Sequence, residues 1–585
     1  MSALWTPPLD GLPFTALDRA FVAFLQSVQA TDEARHAWLA ALASHQHGPG
    51  HACLDLTALQ QDAQAVLGWT DEQLALLPMD LAAAAATLPW TRDAHAPLVL
   101  TETAGVQRLY LRRSFNAEQR ILQSLQRRLA LSVPPTPSLA PLLQQLFGAG
   151  EATPGTDLQR RACEVAAQGL FTLITGGPGT GKTTTVTRLL ALLVHLAQQA
   201  GAPAPRIKLA APTGKAASRL TQSIGRSAEA LPAGFALDVA ALQATTLHGL
   251  LGLRGDERDR ELRPVDADIV VVDEASMVDL ELMARLFASV PDTTRLVLLG
   301  DKDQLASVEA GAVLAQLCQR PALQPRIVTL THSHRFRADS GIGQWAAAVN
   351  RGDAPLVQQL CEAAPAWQVG ADAPVQRLAL NEVREPRLLQ CIREGWSTWL
   401  QGLRQLDGQH CSDEQAIELL NRLGRFQVLC ALRSGPWGVQ ALNPRIQRGL
   451  GLGSELWFAG RPVMVTRNDT ALRLMNGDVG LCLPREGSLR VAFADSDGGL
   501  RWLAPARLES VETVFAMTVH KSQGSEFGRV LLVLPNQPSP VLTRELLYTG
   551  LTRAKEGMVL LAPKASVLTQ AVQRQVQRAG GLVDS

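Results

Sequence analysis

No stretch of this chain approaches the ~18 consecutive apolar residues that a bilayer-spanning helix needs, although hydrophobic residues make up 46% of its 585 positions. The first residues, Met1 to Phe14, lack a basic segment leading into a hydrophobic one, which argues against a secretory signal. Its eight cysteines, at positions 53, 163, 318, 361, 391, 411, 430 and 482, include no C-x-x-C pair. That spacing speaks against a zinc site or a disulfide framework and for a reducing cytoplasm. The net charge of +1 gives no global attraction to nucleic acid. Binding of that kind requires a local groove where lysines and arginines cluster. No internal repeat of roughly 20–50 residues is visible. The length exceeds what one core supports, so about three or four domains are expected.

What the chain does have is a glycine-rich octet, Gly176-Gly177-Pro178-Gly179-Thr180-Gly181-Lys182-Thr183, that fills the pattern G-x-x-x-x-G-K-[ST]. A strand-like run, Phe171 to Thr175, precedes it, and a helix-like stretch from Thr184 through His195 follows. A turn of this composition between strand and helix aims backbone N–H groups at phosphate and adds the positive end of a helix dipole. Lys182 is placed to neutralise β- and γ-phosphates, and the Thr183 hydroxyl to ligate Mg2+. The pattern predicts a nucleoside triphosphate site built from Gly176 through Thr184.

Residues 1–110 read as a separate module. Helical periodicity runs from Leu17 to Val28, with Phe21, Phe24 and Leu25 on one face. The Ala82–Ala86 patch reads as part of a packed helix. Two extended segments, Leu98–Thr101 and Arg108–Arg112, flank a turn at Gly105. Residues 111–150 carry a helical pattern from Asn116 to Leu131, then a break at Val133-Pro134-Pro135-Thr136-Pro137. From 151 to 338, apolar runs alternate with amphipathic helices: Phe171–Thr175, Ile207–Ala211, Ile269–Asp273, Arg295–Leu299 and Ile327–Leu330. This alternation implies a parallel α/β sheet with ligand loops at the strand C-termini. A second series occupies 339–460 and 512–585, with Phe426–Leu432, Val514–Thr518, Val530–Leu534 and Met558–Leu561 as strands. Between its parts, residues 461–511 hold short alternating runs and turns at Asn476-Gly477-Asp478 and Asp495 to Gly499, read as a small β-barrel insert.

Downstream of the glycine-rich turn, the apolar run Ile269 to Val272 ends in Asp273 and Glu274. Asp273 suits Mg2+, usually through water, and Glu274 suits polarising an attacking water. Alone, the pair reads equally well as an acidic N-cap for the helix at Asp279. Leu298 to Gln304 ends the next run, where Gln304 could touch a γ-phosphate or merely close a polar turn. Arg335, in Thr331-His332-Ser333-His334-Arg335-Phe336-Arg337, and Arg553, in Tyr548 to Lys555, are candidate arginine fingers. An isolated arginine is usually a solvated surface residue, so these gain weight only from the set.

In this order the segments resemble superfamily 1 DNA helicases, and within them the RecD family, alpha subunits of exodeoxyribonuclease V. The resemblance covers most of the chain. It rests on Leu209 to Ala217 (LAAPTGKAA), Gly300 to Gly311 (GDKDQLASVEAG), Ala516 to Phe527 (AMTVHKSQGSEF) and Thr543 to Lys555 (TRELLYTGLTRAK). It implies two RecA-like P-loop motor domains, ATP in the cleft between them, and single-stranded DNA crossing both. Lys182, Asp273, Glu274, Gln304, Arg335 and Arg553 would be catalytic, with the two arginines reaching the γ-phosphate from the second motor domain. Gln159, in Leu158-Gln159-Arg160-Arg161-Ala162, would recognise adenine, and Gly524 and Glu526 would face the nucleotide. Thr213, Lys215, Thr246, His248, Thr518, His520, Lys521 and Ser522 would lie on DNA, partners that carry no base information. Base-stacking residues cannot be picked from an aromatic content of 5%.

The family further implies 5′-to-3′ polarity, action on double-strand ends in recombinational repair, and a heterotrimer with beta and gamma subunits. Gly50 to Leu56 and the pair around Tyr110 resemble the family's amino-terminal domain, which docks onto the gamma subunit. Outside the motor motifs no compact Asp…Glu-x-Lys cluster is visible, so nuclease activity is expected in a partner. Two other readings remain: a stand-alone helicase of the same superfamily, and a regulatory DNA-binding subunit switched by ATP.

Overall fold

The computed structural model describes residues 12–584 apart from 135–136, 149–154, 254–261, 337–340, 407, 409 and 496–498. Pro135 and Thr136 of the expected break, Arg337, and the middle of the Asp495–Gly499 turn lie outside the described residues.

Three short strands, β1 (Cys53–Asp55), β2 (Leu98–Thr103) and β3 (Val106–Leu111), pair antiparallel in the order β1-β3-β2. The β2–β3 turn puts Ala104 and Gly105 at φ 51° and 78°, a left-handed pair whose twist matches that of the strands it joins. Helices Ala16–Val28 and Ala34–His47 pack beside this sheet around Trp38, Leu39 and Leu42. Of the expected face of the first helix, Leu25 is buried and Phe21 packs partly buried against this core, but Phe24 does not turn inward. Val22 and Leu25 turn inward, whereas Leu17, Phe24 and Val28 are 74%, 57% and 63% exposed. Asp18 decides the rotation: its buried carboxylate accepts from the Thr15 backbone N–H and hydroxyl (both 2.8 Å) and from the Ser44 hydroxyl (2.6 Å). Satisfying that charge draws its side of the helix onto Ala34–His47.

Helix Arg112–Ala130 then lays Ile121 and Leu125 into the core of the next unit. Its Arg128 guanidinium is fully buried and donates to the carbonyls of Val290 (2.7 Å), Pro291 (2.9 Å) and Thr294 (2.5 Å).

That next unit is a six-stranded parallel sheet. Its strands are β4 (Phe171–Gly176), β5 (Ile207–Ala211), β6 (Ala244–Thr246), β7 (Ile269–Val272), β8 (Arg295–Gly300) and β9 (Ile327–Leu330), in the order β6-β5-β7-β8-β4-β9. Successive side chains alternate between two helix-covered faces: Phe171, Leu173, Val270 and Val272 on one, Ile174, Ile269 and Val271 on the other. Burial on both sides is why β4, β7 and β8 read as nearly continuous apolar runs. Strand β6 carries Ala-Thr-Thr and has no such signal.

The second α/β unit contributes β10 (Val375–Arg377) and β11 (Phe426–Cys430), and the chain then leaves for an insert. The insert consists of β12 (Pro462–Val465), β13 (Val479–Arg485), β14 (Ser488–Ala494), β15 (Leu500–Leu503) and β16 (Val511–Thr513). It is an antiparallel sheet in the order β15-β14-β13-β12-β16 with its own core, including Val463, Cys482 and Phe493. Its end strands are not paired with each other among the described residues, so the strand pairing by itself does not close the expected barrel. The chain returns through β17 (Ala516–Thr518), β18 (Phe527–Val533) and β19 (Ala554–Leu561), giving a parallel sheet β10-β19-β18-β11-β17. Two parallel-sheet α/β units with a small β insert in the second are the observed fold class.

After the last helix, Ala565–Gln573, residues 574–584 run back across the molecule. Arg578 donates to the carbonyls of Ser307 (2.7 Å), Glu309 (2.9 Å) and Gly311 (3.0 Å). Ala579 exchanges backbone bonds with the His51 ring and Ala52. The Gly581 N–H donates to Glu118, Leu582 is fully buried in the first unit's core, and Asp584 pairs with Arg108 at 2.5 Å. This segment ties all three parts of the chain together.

Candidate nucleotide site between two α/β units

The strand order β5-β7-β8-β4-β9 places five C-terminal loops in one row, where ligands bind in open α/β sheets. At its centre, the turn after β4 feeds helix Lys182–Gln199. Gly179 and Gly181 adopt φ 77° and 83°, a region that side chains disfavour. A Cβ on Gly179 would also stand 2.4 Å from Arg335 Cβ. The Lys182 ammonium donates to the carbonyls of Gly176 (2.6 Å) and Gly177 (3.2 Å), curled against its own loop. Thr183 and Thr184 occupy the first turn of the helix, whose unpaired N–H groups face the loop's concavity. Gln159 flanks the loop, its amide 3.5 Å from Thr180 O and its carbonyl accepting from Arg188 (3.2 Å).

Asp273 and Glu274 follow β7. Burial pushes the Asp273 carboxyl up to about 6, Glu274 adds to that, and Lys182 pulls the other way. Asp273 Oδ1 accepts from the Glu274 N–H (2.8 Å), and Glu274 sits at φ 51°, a strained backbone for a non-glycine residue. This donor set fits Mg2+: hard oxygen ligands from one hydroxyl and one carboxylate, the rest being left to phosphates and water. No cluster of three or more His, Cys, Asp or Glu able to hold a metal occurs among the described residues.

Gln304 lies between the units. Its amide donates to Asp301 Oδ2 (2.9 Å), and its carbonyl accepts from Arg553 Nη2 (2.9 Å). Arg553 is buried and also donates to Ser525 O (3.1 Å) and Thr549 O (3.2 Å). Arg335 pairs through Nη2 with Glu526 at 2.5 Å, while its Nη1 is buried without a hydrogen-bond partner. Glu526 collects two more cations, Arg219 at 2.7 Å and Lys555 at 3.3 Å. Burial alone would raise the Glu526 carboxyl, but Arg219 and Arg335 hold it down at about 2.

Several expected placements are corrected. Arg335 does not come from the second unit: it lies in the segment leaving β9, packed on Gly179 and reaching across to Glu526. A Cβ built on Gly524 would face Ala216 (3.8 Å) and Thr213 (4.0 Å) rather than the phosphate loop, and its carbonyl accepts from Arg219 (2.6 Å). Ser522 is fully buried and donates to Val519 O (2.7 Å), so its hydroxyl closes a turn instead of facing a ligand.

The other residues expected on DNA line loops of both units. Thr213 and Thr246 cap helices through the N–H groups of Ala216 (3.2 Å) and Gly249 (3.0 Å). His248 is exposed, and burial with Arg219 brings the Lys215 ammonium down to about 8. Thr518 accepts from the Lys521 N–H (3.3 Å), Lys521 pairs with Glu512, and burial together with Arg578 lowers the His520 imidazole. Sequence reasoning missed Arg219, which sits mid-helix without a motif, and Tyr548, whose hydroxyl donates to Asp301 Oδ2 (3.1 Å).

A phosphate loop at the switch between two parallel-sheet units defines a nucleotide-binding protein of the P-loop class. Residues 159–310 match the model for an AAA domain, and 513–561 that for a UvrD-like helicase C-terminal domain. Residues 13–110 match the model described as RecBCD enzyme subunit RecD, N-terminal domain. RecBCD enzyme subunit RecD of Mycobacterium tuberculosis (strain CDC 1551 / Oshkosh) is 40% identical over 543 residues, covering 91% of this chain and 88% of the relative. The subunit of that name from Haemophilus influenzae is 34% identical over 621 residues, covering 93% and 92%. The ATP-dependent RecD2 DNA helicase of Deinococcus radiodurans is 32% identical over 499 residues, which are 82% of this chain but 59% of that protein. The chain belongs to the RecBCD subunit RecD family.

Proposed function

We propose that this chain is an ATP-driven 5′-to-3′ DNA helicase, the alpha subunit of a heterotrimeric exodeoxyribonuclease V acting on double-strand ends. The observation that carries the reading is the pair of arginine bridges across the units, Arg553 to Gln304 and Arg335 to Glu526, on either side of the phosphate loop. Residues 151–338 form the first motor domain, 339–460 with 512–585 the second, 461–511 its insert, and 1–110 the docking module reached through 111–150.

ATP enters as substrate, its phosphates received by the N–H groups of the Gly177–Thr184 segment. Lys182 then exchanges its two loop carbonyls for phosphate oxygens. Thr183 and Asp273 would hold Mg2+, which would supply neutralisation of phosphate charge. Glu274 orients the attacking water. Arg335, with one buried nitrogen already unpartnered, and Arg553 stabilise the charge on the transferred phosphoryl group. Gln159 lies where an adenine edge would be read. Product release leaves the arginines to Gln304 and Glu526, and this change of partners opens and closes the cleft. Thr213, Lys215, Thr246 and His248 on one unit, with Thr518, His520 and Lys521 on the other, grip single-stranded DNA alternately. The exposed stripe Leu17, Phe24 and Val28 supports the docking role of the first module. The match of residues 13–110 to the RecD N-terminal domain model favours the subunit over the stand-alone reading.

The test is ATP hydrolysis by the purified chain with and without single-stranded DNA, beside Lys182→Gln. Stimulation by DNA that Lys182→Gln abolishes supports the motor. A folded chain that binds nucleotide but shows no turnover, alone or reconstituted with its partners, refutes it.

A further inference from the structure

Tyr548 stands where the two units meet. It lies in helix Arg544–Leu551 of the second unit, only 6% exposed, in the core that includes Leu546, Leu547 and Leu551. Its hydroxyl crosses to the first unit and donates to Asp301 Oδ2 (3.1 Å). The same oxygen accepts from Gln304, which accepts in turn from Arg553. Arg553 follows directly on the Tyr548 helix and returns a bond to Thr549 O (3.2 Å). The result is a closed ring: helix, Tyr548, Asp301, Gln304, Arg553, helix. Leu305 N donates to the Thr549 hydroxyl (3.0 Å) and pins the same helix to the loop after β8.

The hydroxyl has a second neighbour. A Cβ built on Gly177 would meet Tyr548 Oη at 2.8 Å, with no other atom outside its chain neighbours within 4 Å. Gly177 has no positive φ, so its backbone would accept a side chain; the tyrosine is what forbids one. A methyl there must crowd the hydroxyl or push the ring off Asp301, toward the adjoining cavity of about 370 Å3.

We propose that Tyr548 is a positioning residue of the nucleotide site. Held between Asp301 and Gly177, its hydroxyl sets the distance between the phosphate loop and the helix that carries Arg553. The second unit thereby senses the loop directly, by a contact separate from the arginines. When the loop takes up phosphate, Gly177 moves against the hydroxyl, and the ring passes that movement to the Asp301–Gln304–Arg553 chain.

This inference rests on the motor reading, and the test separates the two. Binding of a fluorescent non-hydrolysable ATP analogue and DNA-stimulated turnover are measured on the full chain for wild type, Gly177→Ala, Tyr548→Phe and the double variant. Gly177→Ala is expected to weaken analogue binding about tenfold. Adding Tyr548→Phe is expected to return binding to within about twofold of Tyr548→Phe alone, a non-additivity that marks direct contact. Tyr548→Phe alone should lower DNA-stimulated kcat about tenfold while leaving KM for ATP within about twofold, because it loosens Arg553 rather than the loop. Gly177→Ser, which carries the same Cβ, is a second allele if Gly177→Ala folds poorly. Additive defects, or a Tyr548→Phe chain with wild-type kcat, overturn the proposal. A wild-type chain that binds the analogue but never hydrolyses ATP refutes the motor reading instead, and the binding suppression is still read.

Discussion

Glu526→Gln removes one negative charge from a point where three cations converge. Two of them, Arg219 and Arg335, come from the first unit's side, while Lys555 and Glu526 belong to the second. The carboxyl is moved from its ordinary 4.5 to about 2 by that company, against the opposing pull of burial. At 1.36 kcal/mol per tenfold change in proton affinity, this corresponds to about 3 kcal/mol. Arg219 and Lys555 are 38% and 47% exposed, so solvent screening trims the figure to about 2–3 kcal/mol. A folded pKa below the unfolded one stabilises above pH 4.5, and the contribution is lost as pH falls from there toward about 2. Hydrogen exchange, corrected for intrinsic rates, reads the local opening of β18 and helix Gly214–Ala228. At pH 7 the variant should open roughly 30- to 150-fold more readily than wild type. The gap should shrink as pH falls below 4.5. Equal protection in the two chains at pH 7, or a gap that does not change with pH, refutes the argument.

Other perturbations have equally definite outcomes. Arg128→Met leaves the buried carbonyls of Val290 and Thr294, and that of Pro291, without their donor, and urea unfolding of the first unit should show a loss of about 3 kcal/mol. Phe24→Glu, far from the phosphate loop, should leave ATP turnover of the isolated chain unchanged and reduce co-purification with partner subunits about tenfold or more. Leu582→Ala opens a cavity in the first unit's core, with a cost of about 2–5 kcal/mol. It should appear as faster hydrogen exchange across residues 108–118 as well as around the mutation. Gly179→Ala combines a disfavoured φ with a Cβ 2.4 Å from Arg335, and should abolish analogue binding without unfolding the chain, checked by circular dichroism.

Strands β4, β7 and β8 were legible because burial on both faces keeps them largely apolar, and β5 and β9 because enough of their residues still face the core. Strands β6 and β10 were not, because their three residues each, Ala-Thr-Thr and Val-Gln-Arg, are too short and too polar to form an apolar run. Phe24 misled for a different reason: periodicity locates a helix but does not say which face a buried Asp18 will claim. The phosphate loop, Asp273-Glu274 and Gln304 lie at consecutive strand ends of one sheet, so a local pattern located them. Arg219, Tyr548 and the origin of Arg335 depend on how two units meet, and nothing in the neighbouring sequence encodes that. Gly524 and Ser522 stood in a recognisable motif, yet backbone packing gives them different neighbours from those the motif suggested.

The returning segment 574–584 has a consequence for biogenesis. Leu582 completes a core whose other members, Phe171, Phe287 and Leu298 among them, are synthesised hundreds of residues earlier. The core of the first sheet therefore waits, incompletely closed, until residues 574–584 have been made. A nascent chain stalled or cleaved upstream of residue 574 would carry every motor motif and still lack the inner wall of its first unit. Such a fragment leaves Leu582's socket empty and open to proteases.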